Sequence, residues 1–188
     1  MDLSALSHPL PEVTRRNRFR ASRIFTVEEM DLTFSNGAQM TYEKIVGGRG
    51  AVMAVPFDGT YFYLSIEYAG GSESYELGLV KGKLDPGESP AVAVSRELSE
   101  EIGLGARKVT PLRSNVTVAP GMLELTMHYF LCEDLYANRQ VGDEPEPIEP
   151  VKVTVEEARD LIFNEHSPLR EARCIAALTL ALHKIGAL

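Results

Sequence analysis

The sequence predicts an α+β fold, on three observations. Short apolar-rich runs outnumber helical patterns, turn dipeptides separate two pairs of those runs, and one well-capped helix stands in mid-chain. The 188 residues suffice for one domain with a small appendage, and 44% apolar residues are ample for a packed core.

Residues 1–20 read as irregular, because Pro9 and Pro11 break any helix there. The runs IFTVEEMDLTF and AQMTYEKIV flank Ser35-Asn36-Gly37 and predict a hairpin over residues 22–46, since Asn-Gly tolerates positive φ. Gly47-Gly48 then divides the chain into an N-terminal β segment, 1–48, and a main domain, 49–188. AVMAVPF and YFYLSIEYA, split by Asp58-Gly59, predict a second, central hairpin. Ser89 is a good N-cap, Pro90 suits the first helical position and Gly103 suits the stop, so a helix spans 90–102. KVTPLRSNVTVAP and LELTMHYFLCEDL read as further strands, and the proline-rich VGDEPEPIEP as a loop. VKVTV leads into a helix through the capping-box pair Thr154 and Glu157. A last helix is expected to open at Ser167-Pro168 and run through CIAALTLAL.

The net charge of −8 repels nucleic-acid backbones and argues against a DNA or RNA partner. No apolar run reaches the roughly 18 residues of a membrane span, and the N-terminus lacks the apolar stretch of a signal peptide. Cys132 and Cys174 lie in apolar surroundings, which predicts buried free thiols and a cytoplasmic protein. The basic cluster Arg15, Arg16, Arg18, Arg20 and Arg23 reads as a solvated lead-in. His8, His128, His166 and His183 are scattered and form no ligand pattern.

The helix at 90–102 carries the chemistry. At about 100° per residue, Glu97, Glu100 and Glu101 share one arc, beside a core stripe of Ala91, Val94, Leu98 and Ile102. Like charges at this spacing destabilise a helix by a few tenths of a kcal/mol per pair, and no lysine relieves them. Their oxygens suit Mg²⁺ or Mn²⁺, which would remove the repulsion. On the helix alone, a solvated acidic face and a metal grip both remain open.

The wider spacing separates them. Gly82, Glu88, Arg96, Glu97, Glu100, Glu101 and Gly103 fit G-x(5)-E-x(7)-R-E-U-x-E-E-x-G-U, with Leu98 and Leu104 at the bulky apolar positions U. Seven fixed positions coincide by chance on the order of once per million chains of this length. This is the Nudix box, and the sequence resembles the Nudix hydrolases. The resemblance implies an α/β/α sandwich with a mixed central sheet, preceded here by the small β segment. It implies metal binding by Glu97, Glu100 and Glu101 with the backbone carbonyl of Lys81. It also implies that Glu88 and Arg96 pair to brace the loop, that Gly82 permits close backbone approach and that Gly103 caps the helix.

The activity implied is hydrolysis of a pyrophosphate linkage to a nucleoside, with a carboxylate outside the metal set taking a proton from water. In family members that cleave ADP-ribose the base comes from the late loop, where Glu144 or Glu146 fills the role beside Asp143. Similarity to the ADP-ribose pyrophosphatase-like subfamily rests on Pro120, sixteen residues past Leu104, on Glu76, six before Gly82, and on Arg49 ahead of the first central strand. Tyr68, in Glu67-Tyr68, could stack on adenine. SRIFTVEEMDLTFSNG, ESYELGLVKGKLDPGES and GDEPEP resemble members acting on ADP-ribose, diadenosine polyphosphates and NADH, which release AMP and are homodimers built through an N-terminal β segment. That segment also completes their substrate pocket. The chain departs from the common pattern at Ile66 and Ala69, where basic residues are usual, and at Gly78-Leu79-Val80-Lys81 before the box.

Three alternatives differ in class. A nucleotide-sensing module without catalysis commonly lacks a box glutamate, and this chain keeps all of them. A house-cleaning triphosphatase or an RNA-cap pyrophosphohydrolase fits the Pro120 spacing and the acidic surface less well. A calcium-binding structural protein would need EF-hand loop chemistry that the box lacks.

Overall fold

A strand that sequence reading leaves irregular opens the fold. The computed structural model describes residues 1–142 and 145–188, and its chain divides into two compact units: Met1–Gly48 with Val118–Leu125, and Arg49–Thr117 with Thr126–Leu188.

In the first unit, β1 (Glu12–Arg20), β2 (Thr26–Thr33) and β3 (Gln39–Ile45) form an antiparallel sheet in that order. Gly37, at φ +83°, makes the β2–β3 turn, and the Asn36 side chain accepts the Ala38 N–H at 3.0 Å. The prolines at 9 and 11 exclude a helix but not a strand that starts at Glu12. Charge rather than apolar alternation holds β1 in place: Arg15 donates to Asp31 at 2.5 Å, and Arg16 and Arg18 each reach Glu28 at 2.7 Å. The arginine cluster is therefore a cross-strand pairing device, not a free lead-in. Residues 118–125 join this unit through Ile45, whose N–H donates to the Met122 carbonyl at 2.8 Å.

The second unit holds two sheets. One is mixed, in the order β7 (Lys81–Lys83), β4 (Ala51–Pro56), β9 (Thr126–Ala137), β8 (Leu104–Thr117), with β4 and β9 parallel. The other is antiparallel, in the order β10 (Pro150–Thr154), β5 (Tyr61–Ala69), β6 (Ser74–Gly78). Asp58-Gly59 thus does not close a hairpin within one sheet; it is the corner where the chain leaves one sheet for the other. The Phe57–Phe62 bridge and the Asp58 N–H, donating to the Tyr61 carbonyl at 3.1 Å, span it, and the Asp58 carboxylate accepts the N–H groups of Thr60 and Tyr61. Every residue of β4 is buried, so it needs a neighbour on each side, and β7 and β9 supply them.

Helix α1 (Pro90–Ile102) covers one face of the mixed sheet, its Ala93, Val94, Leu98 and Ile102 packing on Val52, Ala54, Phe130 and Cys132. Ala91 lies exposed in the first turn, and Ala93 takes the core position expected of it. The helices α2 (Val155–Phe163) and α3 (Ala172–Lys184) follow. The capping box of α2 forms in both directions between Thr154 and Glu157. Helix α3 starts at Ala172, later than Ser167-Pro168 suggests, because the Ser167 hydroxyl bonds to the Leu161 carbonyl at 2.6 Å and accepts the Leu169 N–H. That local turn competes with helix and seats Leu169 in the core. Both cysteines are buried free thiols, and among the described residues no helix is long and apolar enough to cross a membrane.

Candidate active site

The box residues occupy a strand, a loop and one face of α1. Ser89 accepts the Val92 N–H, Pro90 follows, and Gly103 ends the helix at φ +70° with its N–H on the Leu98 carbonyl. Glu97 and Glu101, one turn apart, are 8% and 5% exposed, whereas Glu100 is half-buried. Helix dipole and apolar neighbours do not account for two such buried carboxylates.

Gly82, on β7, sets how near Glu97 can come. A Cβ at that position would stand 1.9 Å from the Glu97 carboxyl carbon, so only glycine admits this approach. Arg96 then gathers the acids. It grips both oxygens of Glu88 at 2.9 and 3.0 Å, donates to the Lys83 carbonyl at 3.0 Å, and reaches Glu97 at 2.8 Å and Glu100 at 3.0 Å. These bonds hold the Glu88 carboxyl below the usual range and the Arg96 guanidinium well above it.

Glu101 is different. One oxygen accepts the Lys81 N–H at 3.2 Å, while the other is buried with no hydrogen-bond partner among the described residues. Burial pushes its pKa up to about 8, opposed by the nearby Lys81 charge. The Lys81 side chain itself pairs with Glu67 at 3.0 Å.

These residues line a groove of about 690 Å³, in which five carboxylates face three cations among the described residues. Its donor chemistry fits a hard divalent ion: all-oxygen ligands, excess negative charge and one idle buried acceptor. Among the described residues no three acidic, histidine or cysteine side chains already stand close enough to enclose an ion, and Arg96 ties two of the glutamates instead.

The late loop borders the same groove through Val141, Gly142 and Pro145. Glu146 accepts the Tyr75 hydroxyl at 2.7 Å, while Asp143 and Glu144 lie outside the described residues. The loop springs from a clasp that motif reading misses. Arg139 donates to the carbonyls of Glu100 and Glu101 at 3.1 and 2.9 Å, and Asn138 donates to the Ser99 hydroxyl at 2.6 Å. Carbonyls left open at a helix end need such donors, but nothing local announces one 38 residues downstream.

Other candidate residues are spread more widely. Tyr68 stands edge-on to Tyr75, ring centroids 5.7 Å apart. Glu76 is held by Arg170, through its Nε at 3.2 Å and a second contact from Nη2. Arg49 is exposed just before β4, and Pro120 sits in the turn of residues 118–123 within the first unit.

Comparison with known proteins gives concordant matches. A family model of the NudE-type Nudix hydrolase N-terminal domain matches residues 11–44, and the NUDIX domain model matches residues 48–172. The chain is 42% identical over 171 residues to the ADP compounds hydrolase NudE of Escherichia coli (strain K12), covering 90% of each. It is 31% identical over 138 residues to an ADP-ribose pyrophosphatase of Bacillus subtilis (strain 168), covering 72% of this chain and 73% of that one. A crystal structure of an ADP compounds hydrolase superposes with a TM-score of 0.88 at 39% identity, covering 96% of this chain and 98% of the other.

Proposed function

The chain belongs to the Nudix hydrolase family as a pyrophosphohydrolase, and on that premise we propose that it cleaves ADP-containing dinucleotides and ADP-sugars, releasing AMP. ADP-ribose, diadenosine polyphosphates and NADH are the substrates of this reading. It draws support from the activities named for its relatives and, above all, from the glutamates of α1 drawn against Gly82 at the floor of one groove.

In this reading Glu97, Glu100 and Glu101, with the Lys81 carbonyl, hold Mg²⁺ or Mn²⁺. A bound divalent ion supplies charge neutralisation on the diphosphate and acidifies a coordinated water. The chain's own residues do the rest. Gly82 brings strand and carboxylate together, and the Glu88–Arg96 pair braces loop against helix. Lys81 and Lys83 line the groove as countercharges for phosphate oxygens. Glu146 or Glu144 of the late loop accepts the proton of the attacking water. Arg49, Glu76, Tyr68 and Pro120 are the substrate contacts proposed.

We read the first unit as a homodimer contact. Its sheet leaves Val13, Met40 and Tyr42 exposed on one face, beside Leu32 and Met30 in cross-strand register. The buried free thiols agree with a cytoplasmic setting.

The test is AMP release with Mg²⁺ from equal concentrations of ADP-ribose, diadenosine triphosphate, NADH and dGTP, alongside Glu101→Gln. AMP from the first three and a dead variant uphold the reading. Turnover of dGTP alone overturns the substrate class, and binding of ADP-ribose without turnover makes the chain a sensor.

A further inference from the structure

Helix α1 and the late loop meet outside the box motif, at the end of the helix that carries Glu100 and Glu101. The last four carbonyls of a helix have no partner inside it. In α1 these belong to Ser99, Glu100, Glu101 and Ile102, and residues 139 and 140 take three of them. The Gln140 N–H donates to the Ser99 carbonyl at 3.2 Å, and one nitrogen of Arg139, Nη1, donates to the carbonyls of both Glu100 and Glu101. The Asn138 N–H donates to the Gly103 carbonyl at 2.9 Å, and its side-chain amide to the Ser99 hydroxyl at 2.6 Å. Ser99 is 1% exposed and fills the position between Leu98 and Glu100 that the motif leaves open.

A plain helix cap does not account for these bonds. Gly103 already closes α1, with left-handed backbone and its N–H on the Leu98 carbonyl. Arg139 is exposed and pairs with no acid among the described residues, so its charge is spent on two carbonyls that water could satisfy. Gly103 makes room for it: a Cβ there would stand 3.2 Å from Arg139 Cδ and Nε. Beyond the clasp the chain lines the groove with Val141 and Gly142, and again with Pro145. It is held once more at Glu146, whose carboxylate accepts the Tyr75 hydroxyl of β6 at 2.7 Å. The late loop is thus tied to α1 before the groove and to β6 after it.

We propose that Asn138, Arg139 and Gln140 are a positioning element of the active site, fixing the late loop in register with the last turn of α1. The inference rests on the reading in which α1 holds the ion and a late-loop carboxylate takes the proton. Those two tasks fall to different elements, yet the carboxylate must stand within hydrogen-bond reach of a water on the ion, and small misplacements are costly in rate. The Leu104–Ala137 pair, where β8 begins and β9 ends, brings helix end and loop start side by side. The clasp turns that proximity into a fixed spacing by bonding to the residues that bear the carboxylates. Arg139 acts through the backbone of Glu100 and Glu101, not on the substrate.

The experiment compares the whole chain with Arg139→Met, Arg139→Lys and Asn138→Ala, by ADP-ribose hydrolysis over a range of Mg²⁺ and by amide hydrogen exchange. Arg139→Met is expected to lower kcat about tenfold at saturating Mg²⁺, with KM and the Mg²⁺ half-saturation point within about twofold of wild type. Exchange of the Gln140 amide is expected to quicken about tenfold. Arg139→Lys is expected to recover most of the rate, because a single nitrogen serves both carbonyls. Unchanged kcat overturns the proposal. A loss that added Mg²⁺ restores makes the clasp a support for the metal glutamates alone and also overturns it. So does a lower melting temperature with kcat intact, which makes it a simple cap. Asn138→Ala removes the other side-chain tie and is read in the same way should Arg139→Met fail to fold. If wild type hydrolyses no ADP compound, the ADP-compound reading falls and exchange alone decides: faster exchange at residues 140–142 upholds the clasp, and unchanged exchange overturns it.

Discussion

Gly82 and Glu97 stand so close that a single added methyl at residue 82 would fall 1.9 Å from the Glu97 carboxyl carbon. Gly82→Ala is therefore expected to push Glu97 out of the groove while leaving the fold intact, since β7 is a short edge strand. Misplacement of a catalytic group by about 1 Å can cost on the order of a hundredfold in rate. Steady-state kinetics should find kcat down by that order with the melting temperature within a few degrees of wild type. A fully active variant would mean that Glu97 is not needed where it sits.

Arg96 compensates several acids at once, so its removal should cost stability as well as activity. Arg96→Met leaves Glu88, Glu97 and Glu100 facing one another. The guanidinium is a quarter exposed, which discounts the roughly 3–5 kcal/mol of a broken buried pair to about 1–3 kcal/mol. Urea denaturation checks this. Arg96→Lys should recover little, because a lysine cannot grip both Glu88 oxygens.

A divalent ion should stabilise the protein through Glu101. Its buried oxygen, without a hydrogen-bond partner among the described residues, gains a ligand when the ion binds, and linkage predicts about 2.7 kcal/mol at a hundredfold excess over Kd. Thermal melts with Mg²⁺ and with a chelator should separate for wild type and coincide for Glu101→Gln. A shift that survives in the variant would place the ion elsewhere.

Acid should loosen the first unit through Glu28, which is 3% exposed. Arg18 above all, then Lys44, hold its carboxyl below the ordinary 4.5, against the opposing effect of burial. A depressed folded-state pKa contributes stability that is fully present above the unfolded value near 4.5 and is lost as pH falls through the folded value. Melts between pH 6 and 3 should therefore decline more steeply for wild type than for Glu28→Gln. Parallel declines would remove Glu28 from the account.

The sequence by itself determined α1 and the acidic face it bears. Ser89, Pro90 and Gly103 are caps that act within a turn of their own positions, and the 3.6-residue period alone brings Glu97, Glu100 and Glu101 to one face. The capping box of α2 and the Asn36-Gly37 turn were legible for the same reason. Strand β1 was not, because its pairing is carried by arginines that resemble a solvated run until Glu28 and Asp31 lie across from them. Nor was the corner at Asp58-Gly59: a turn dipeptide states that the chain reverses, while burial of β4 on both faces decides which strands flank it. Only the tertiary structure set Arg170 on Glu76, 94 residues away, Arg139 on the end of α1, and Lys81 beside Glu67. Such contacts carry no local free energy for a short window of sequence to reveal; they form when packing has already brought distant segments together.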